Sequence, residues 1–197
     1  MKELARSYDT AYRKHAFTTA EGKDITIDSG FYGWRMNRSE ETEELINLIK
    51  QGAVVEKEPV YIQTAASHGE RDYGDTYVEI NLSKQHLYFW EKGNIIIESD
   101  FVSGNMVKGM ATPGGIFPIT YKERNAVLKG TNYRTPVSYW MPFNGGIGMH
   151  DAPWRKQFGG TIYETNGSHG CINLPVDVAR EIYEHVAAGM PVICYYE

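Results

Sequence analysis

The sequence predicts a mainly β protein with few helices, led by a small α+β segment. Three observations carry this. Aromatic residues make up 13% of the chain, fourteen of them tyrosines and four tryptophans, types that favour strands and binding grooves. From Thr76 onward, short apolar runs alternate with turn signals. Only one stretch there, Val176 to Ala188, keeps the period of a helix.

The elements follow in order. Phe17-Thr18-Thr19 and Asp24-Ile25-Thr26-Ile27 flank Ala20-Glu21-Gly22-Lys23, which predicts a hairpin. Asn37-x-x-Glu40 is a capping-box-like helix start. Leu45, Ile46, Leu48 and Ile49 continue that helix at helical spacing, and Gly52 offers its stop. Gly52 to Pro59 bridges to an extended run, Val60-Tyr61-Ile62. Residues 1–58 are too few for a confident core of their own, and 59–71 read as a linker. Tyr77 to Leu82 alternates with period two, and His86 to Trp90 is the next strand. Glu91-Lys92-Gly93-Asn94 is a hairpin turn into Ile95-Ile96-Ile97. Thr112-Pro113-Gly114-Gly115 is another tight turn, with nothing to suggest a phosphate loop. In the last helix Asp177 suits the first turn and Gly189-Met190-Pro191 the stop; Val178, Ile182, Tyr183 and Val186 form an inner stripe.

Composition excludes several function classes. Hydrophobic content of 42% supports a real core. A net charge of −5 argues against nucleic acid, which calls for a basic face. No apolar run approaches a membrane span and no signal-peptide pattern opens the chain, so Met1-Lys2-Glu3-Leu4 reads as an arbitrary start within a longer protein. Of the two cysteines, Cys194 sits in an apolar terminal run and reads as buried and inert. A disulfide to Cys171 is not expected.

The run Gly167-Ser168-His169-Gly170-Cys171-Ile172-Asn173 carries the chemistry. Its polar, glycine-flanked cysteine suits an exposed turn better than a core strand. Seventeen residues separate His150 from Ser168. One thiol and one imidazole are the minimum for nucleophilic acyl transfer, the ring taking the thiol proton. Two other readings stand beside this: a small buried hydrophobe, or zinc held by His150, Asp151, His169 and Cys171. The usual zinc spacings are missing.

At these residues the chain resembles the L,D-transpeptidase family, the cysteine enzymes that cross-link bacterial peptidoglycan. The family signature is a histidine, a short gap, then Ser/Thr-His-Gly-Cys, an apolar residue and Asn; no element departs from it here. The resemblance runs back through Tyr139-Trp140-Met141-Pro142-Phe143, Thr112 to Gly115, Gln85-His86 and Tyr77 to Leu82, and so covers residues 72–197. It implies the family's catalytic fold of β-sandwich-like mixed sheets over 72–197. Residues 1–58, with Tyr32-Gly33-Trp34, resemble part of the accessory domain that precedes it in Gram-positive members.

The resemblance also implies roles. Cys171 is the nucleophile and His150 the base, then the acid for the departing amine. A backbone carbonyl orients the imidazole, which favours the main-chain oxygen of Asp151 over its carboxylate. The Gly170 and Cys171 amides receive the oxyanion. Ser168 shapes the turn, with a bond to the imidazole or substrate open to it; His169 is a polar wall, a tuner of the thiolate, or structural; Asn173 is structural. Trp140, Met141 and Trp154 belong either to the groove or to core packing. Arg155 is either a partner for a substrate carboxylate or a solvated charge. The implied donor is a peptidoglycan stem tetrapeptide, the acceptor a neighbouring stem, and carbapenems are implied covalent inhibitors. No cofactor, metal or membrane contact from this segment is called for. The implied location is extracytoplasmic, at the wall or cell surface, through a secretion or anchoring segment outside this chain.

Overall fold

Residues 1–69, 71–130 and 133–197 are described in a computed structural model. The chain opens with a helix that no apolar stripe announces, α1 (Lys2–Tyr8). The expected hairpin forms from β1 (His15–Thr18) and β2 (Asp24–Ile27), with Gly22 at φ 80° in its turn. β3 (Arg35–Met36) leads into α2 (Arg38–Lys50). The Asn37 cap is reciprocal: its side chain accepts from the Glu40 N–H at 3.3 Å and donates to the Glu40 carboxylate at 2.8 Å. Of the apolar residues that predicted α2, Leu45 and Leu48 are half-buried and Ile46 and Ile49 lie at its surface, Ile49 being 76% exposed. Its buried residue is Glu41, which takes Lys57 Nζ at 2.8 Å and the Val60 N–H at 2.7 Å. β4 (Tyr61–Gln63) pairs with β3.

The rest of the chain runs β5 (Tyr77–Asn81), β6 (His86–Glu91), β7 (Asn94–Asp100), β8 (Gly115–Pro118), β9 (Glu123–Gly130), β10 (Tyr133–Asn144), β11 (Ile147–Asp151), α3 (Ile162–Asn166), β12 (Ile172–Leu174), α4 (Val176–His185) and β13 (Pro191–Tyr195). One sheet has the order β7-β6-β5-β13-β8, the other β12-β11-β10-β9. Val78, Ile80, Phe89 and Val192 of the first meet Met141, Phe143, Met149 and Ile172 of the second across a fully buried core. α4 closes it with Ala179 and Ile182, and Val186 adds to it just past the helix end. The described parts are mainly β with mixed sheets, as expected.

The alternation in β5 predicts one buried face, yet every residue of it is buried. Val78 and Ile80 face the main core. Tyr77 faces a second cluster in which Phe17, Ile27 and Tyr32 from the N-terminal segment pack on Tyr73, Ile193 and Tyr195. The segments expected on either side of the 59–71 linker thus share a core. Glu79 fastens them. Its carboxylate accepts the Ala20 N–H at 2.8 Å, the Tyr195 hydroxyl at 2.7 Å and Trp90 Nε1 at 2.8 Å. Burial outweighs these donors and holds it above the usual carboxylate range. Glu79→Ala strands three donors and is expected to cost about 3 kcal/mol or more. Urea denaturation reads this directly, and an unchanged midpoint would show that the latch contributes nothing.

Two pairings position the site. β10 and β11 are antiparallel, setting Trp140 opposite His150 and Met141 opposite Met149. β11 and β12 are parallel, setting His150 opposite Asn173 and Met149 opposite Ile172. Side chains alternate along a strand. Trp140, His150 and Asn173 therefore share one face, and Cys171, two residues before Asn173, joins them.

Candidate active site

The parallel pairing is how two distant stretches of sequence become one site. Cys171 and His150 line the same pocket, of about 250 Å³, together with Ser168, His169, Trp154 and Arg155. A cleft this small suits one stretch of extended chain better than a whole bulky ligand. The far wall is Leu128, Tyr133 and Thr135 from the β9–β10 hairpin. No motif flags them, because Pro136 interrupts that run and polar residues crowd it. A more voluminous concavity, about 1050 Å³, lies by α1 and the start of α2. It holds no cysteine or histidine and is remote in sequence from the motif, so the chemistry is argued for the smaller one.

Cys171 sits at the head of β12, its turn held from behind. Ser168 Oγ donates to the Cys171 carbonyl at 2.6 Å and accepts the Gly170 N–H at 3.0 Å. Thr112 Oγ1 donates to the Gly170 carbonyl at 2.7 Å. Gly170 is at φ 119°, a conformation that strains any other residue. Ser168 therefore shapes the turn, as expected, and takes up the Gly170 amide that was expected to face an oxyanion.

The imidazole is oriented by a main-chain oxygen: His150 Nδ1 lies 2.8 Å from the Asp151 carbonyl. The Asp151 carboxylate points elsewhere, accepting the Ser138 and Tyr139 N–H groups at 2.7 and 2.9 Å. The expected contact between thiol and imidazole is not among the hydrogen bonds of the described residues. Cys171 Sγ instead donates to the Gly146 carbonyl at 3.6 Å, in the tight Gly145-Gly146 turn between β10 and β11. His150 Nε2 faces Asn173 Nδ2 at 3.1 Å. Burial also disfavours a thiolate–imidazolium pair at rest, since it penalises both charges. Desolvation pushes the Cys171 thiol up to about 11, against a Gly148 N–H that favours the thiolate. Desolvation also lowers His150, with the Arg155 charge adding to the effect and Asp151 opposing it. The resting site holds a neutral thiol and a neutral ring.

The remaining expected residues divide. Trp154 is half exposed, its ring centroid 6.0 Å from that of His150. His169 is exposed at the rim, 4.8 Å from the Tyr133 ring. Arg155 is half-buried and donates from Nε to Asn173 Oδ1 at 2.7 Å, so it is not a free surface charge. Trp140 is 5% exposed and packs beside Cys171 and His150 as the floor behind them. Met141, expected along the groove or in the core, is fully buried in the main core. Register decides this, because it lies one residue from Trp140 and so faces the other way. Among the described residues no three His, Cys, Asp or Glu side chains converge as metal ligands, and no helix is long and apolar enough to cross a membrane. Asn173, read from the sequence as structural, also touches the imidazole, a contact the sequence did not announce.

The profile of the L,D-transpeptidase catalytic domain matches residues 75–194. A crystal structure of a cysteine-to-serine mutant of the Enterococcus faecium L,D-transpeptidase superposes with a TM-score of 0.83 at 34% identity, covering 98% of this chain and 79% of that one. The catalytic domain of the E. faecium enzyme acylated by ertapenem superposes with a TM-score of 0.57 at 42% identity, covering 62% of this chain and 98% of that one. YciB of Bacillus subtilis, a candidate L,D-transpeptidase by its name, is 29% identical over 118 residues, 56% of this chain. The chain spans 60% of the length of that curated relative.

Proposed function

The chain belongs to the family of L,D-transpeptidase catalytic domains, and from that premise we propose that it forms 3→3 cross-links between peptidoglycan stems through a thioester on Cys171. The observation that carries this reading is one pocket in which thiol and imidazole sit on neighbouring strands with a carbonyl behind the ring.

A donor tetrapeptide lies across the pocket with the carbonyl of its third residue over Sγ. His150 Nε2 takes the thiol proton as sulfur adds to that carbonyl, and the oxyanion is received by the Cys171 amide. Collapse breaks the bond to the terminal D-Ala, whose amine leaves with the proton from His150. An amine of a neighbouring stem then attacks the thioester and gives its proton to His150. The new amide forms and the thiol is restored. A carbapenem, entering as a donor mimic, stops at the acyl stage. Such work is done outside the cytoplasm, at the wall.

Tetrapeptide stems incubated with the protein should give dimers lacking one D-Ala, seen by mass spectrometry. Tripeptides alone would make it a carboxypeptidase in which water resolves the thioester. Absence of any acyl-enzyme with stem or carbapenem would leave an idle wall-binding module and overturn the proposal.

The resting electrostatics give a pH signature. A thiol at about 11 is mostly protonated at neutral pH. Alkylation of Cys171 by iodoacetamide in the free protein should climb close to tenfold per pH unit from about pH 7 to 10. A plateau already reached near neutrality would mean a standing thiolate. Acylation that uses His150 as base has its acid limb below 6.5, because burial lowers that ring.

A further inference from the structure

A chain of hydrogen bonds behind the imidazole dictates which of its nitrogens carries the proton. Arg155 has donors and no acceptor. Its Nε points at Asn173 Oδ1 from 2.7 Å, which claims the oxygen end of that amide. The amino end is left to face His150 Nε2 at 3.1 Å. A ring nitrogen facing an N–H donor must present its lone pair. The proton of the neutral ring is then on Nδ1, where the Asp151 carbonyl accepts it at 2.8 Å. We propose that Arg155, acting through Asn173, is a positioning residue that keeps His150 in the Nδ1–H form with Nε2 unprotonated, so that its lone pair, held at rest by the Asn173 amide, can pass to the thiol proton when Cys171 turns towards it.

The alternative arrangement shows why this matters. Without a donor on Oδ1, the Asn173 amide is free to rotate and put its oxygen against Nε2. Nε2 would then hold a proton, and with the Asp151 carbonyl still facing Nδ1 the ring would be favoured as a cation. A ring protonated on both nitrogens cannot accept from Cys171. The other ionisable groups around β11 do not substitute for Arg155. Asp151 turns its carboxylate to the Ser138 and Tyr139 amides, and Tyr139 lies under the Arg124 guanidinium at 5.1 Å. His169 stands at the rim against Tyr133, Cys171 donates to Gly146, and α4 packs on the core face of the strand. The sequence offered Arg155 as a partner for a substrate carboxylate or as a solvated charge. Its bond to Asn173 gives it a third task.

This inference rests on His150 being the base of the proposed reaction, but its main test needs no substrate. In protein labelled with 15N-histidine, His150 near neutral pH should show a bare Nε2 and a protonated Nδ1. Arg155→Met removes the donor and keeps the stem. It should raise the midpoint of the His150 titration by about one pH unit and cut carbapenem acylation about tenfold below that midpoint, with recovery at higher pH. Arg155→Lys, which still donates, should restore most of the native profile. Asn173→Asp, nearly isosteric, sets a carboxylate against Nε2 and should shift the titration further in the same direction. Thermal melting of each variant separates these effects from misfolding. A protonated Nε2 in the native protein would overturn the proposal. So would a raised KM in Arg155→Met with the titration unmoved, the mark of a substrate-carboxylate partner. If the native protein shows the expected ring form but no acylation, the reading of function fails and the positioning role stands.

Discussion

On the proposed mechanism, Cys171→Ala is expected to abolish the covalent adduct with a carbapenem and to lower any cross-linking roughly 10⁴- to 10⁶-fold, the scale seen when a nucleophile is removed. Nothing else in the pocket takes over. Ser168 Oγ is spent on the Cys171 carbonyl and the Gly170 amide, and Cys194 is fully buried in the main core, where burial keeps its thiol protonated. The fold should survive, since the turn is held by Ser168 and Thr112 through main-chain atoms. Intact-protein mass spectrometry reads the adduct and thermal melting reads the fold. An adduct, or near-native turnover, in a folded Cys171→Ala protein would remove the nucleophile from the proposal.

His150→Gln is expected to cost about 10² to 10⁴ in acylation rate at neutral pH, the usual contribution of a positioned acid–base. The loss should depend on pH in a telling way. With no base at hand, acylation waits on the small fraction of thiol that ionises unaided, and that fraction grows up to about 11. The deficit therefore narrows by nearly tenfold for each unit of rising pH. A deficit that stays constant from neutral to alkaline pH would mean that the ring shapes the pocket without moving a proton.

Local signals were legible and long-range pairings were not. The Lys92-Gly93 turn, with φ of 50° and 76°, and the Asn37 cap are short-range devices that residue types announce. So is α4, which ends at His185, short of the expected Ala188; of its expected stripe Ile182 is fully buried, Val178 and Tyr183 are partly buried, and Val186 is buried just past the helix end. The β9–β10 hairpin escaped because Pro136 and a polar composition masked β9 and the first half of β10, which bury only Ala126 and Val137. α3 escaped because a five-residue helix with no buried residue leaves no stripe to find. Within the site, the motif pointed to Cys171 and His150 and to the Asp151 carbonyl. The Arg155–Asn173–His150 chain could not be foreseen, because it exists only through the parallel register that sets position 150 beside 173. The same register, through alternation, puts Trp140 at the site and Met141 in the core.

That parallel pairing has a consequence for how such a protein can diversify. The proposed base, His150, is anchored in one strand and the proposed nucleophile, Cys171, at the mouth of the next, while the crossover between them brings Trp154 and Arg155 to the pocket wall. Insertions or deletions in the outer arc of that crossover, beyond Arg155, would redraw the entrance and leave the reacting atoms where they are. New acceptors could in this way be admitted by remodelling the doorway alone.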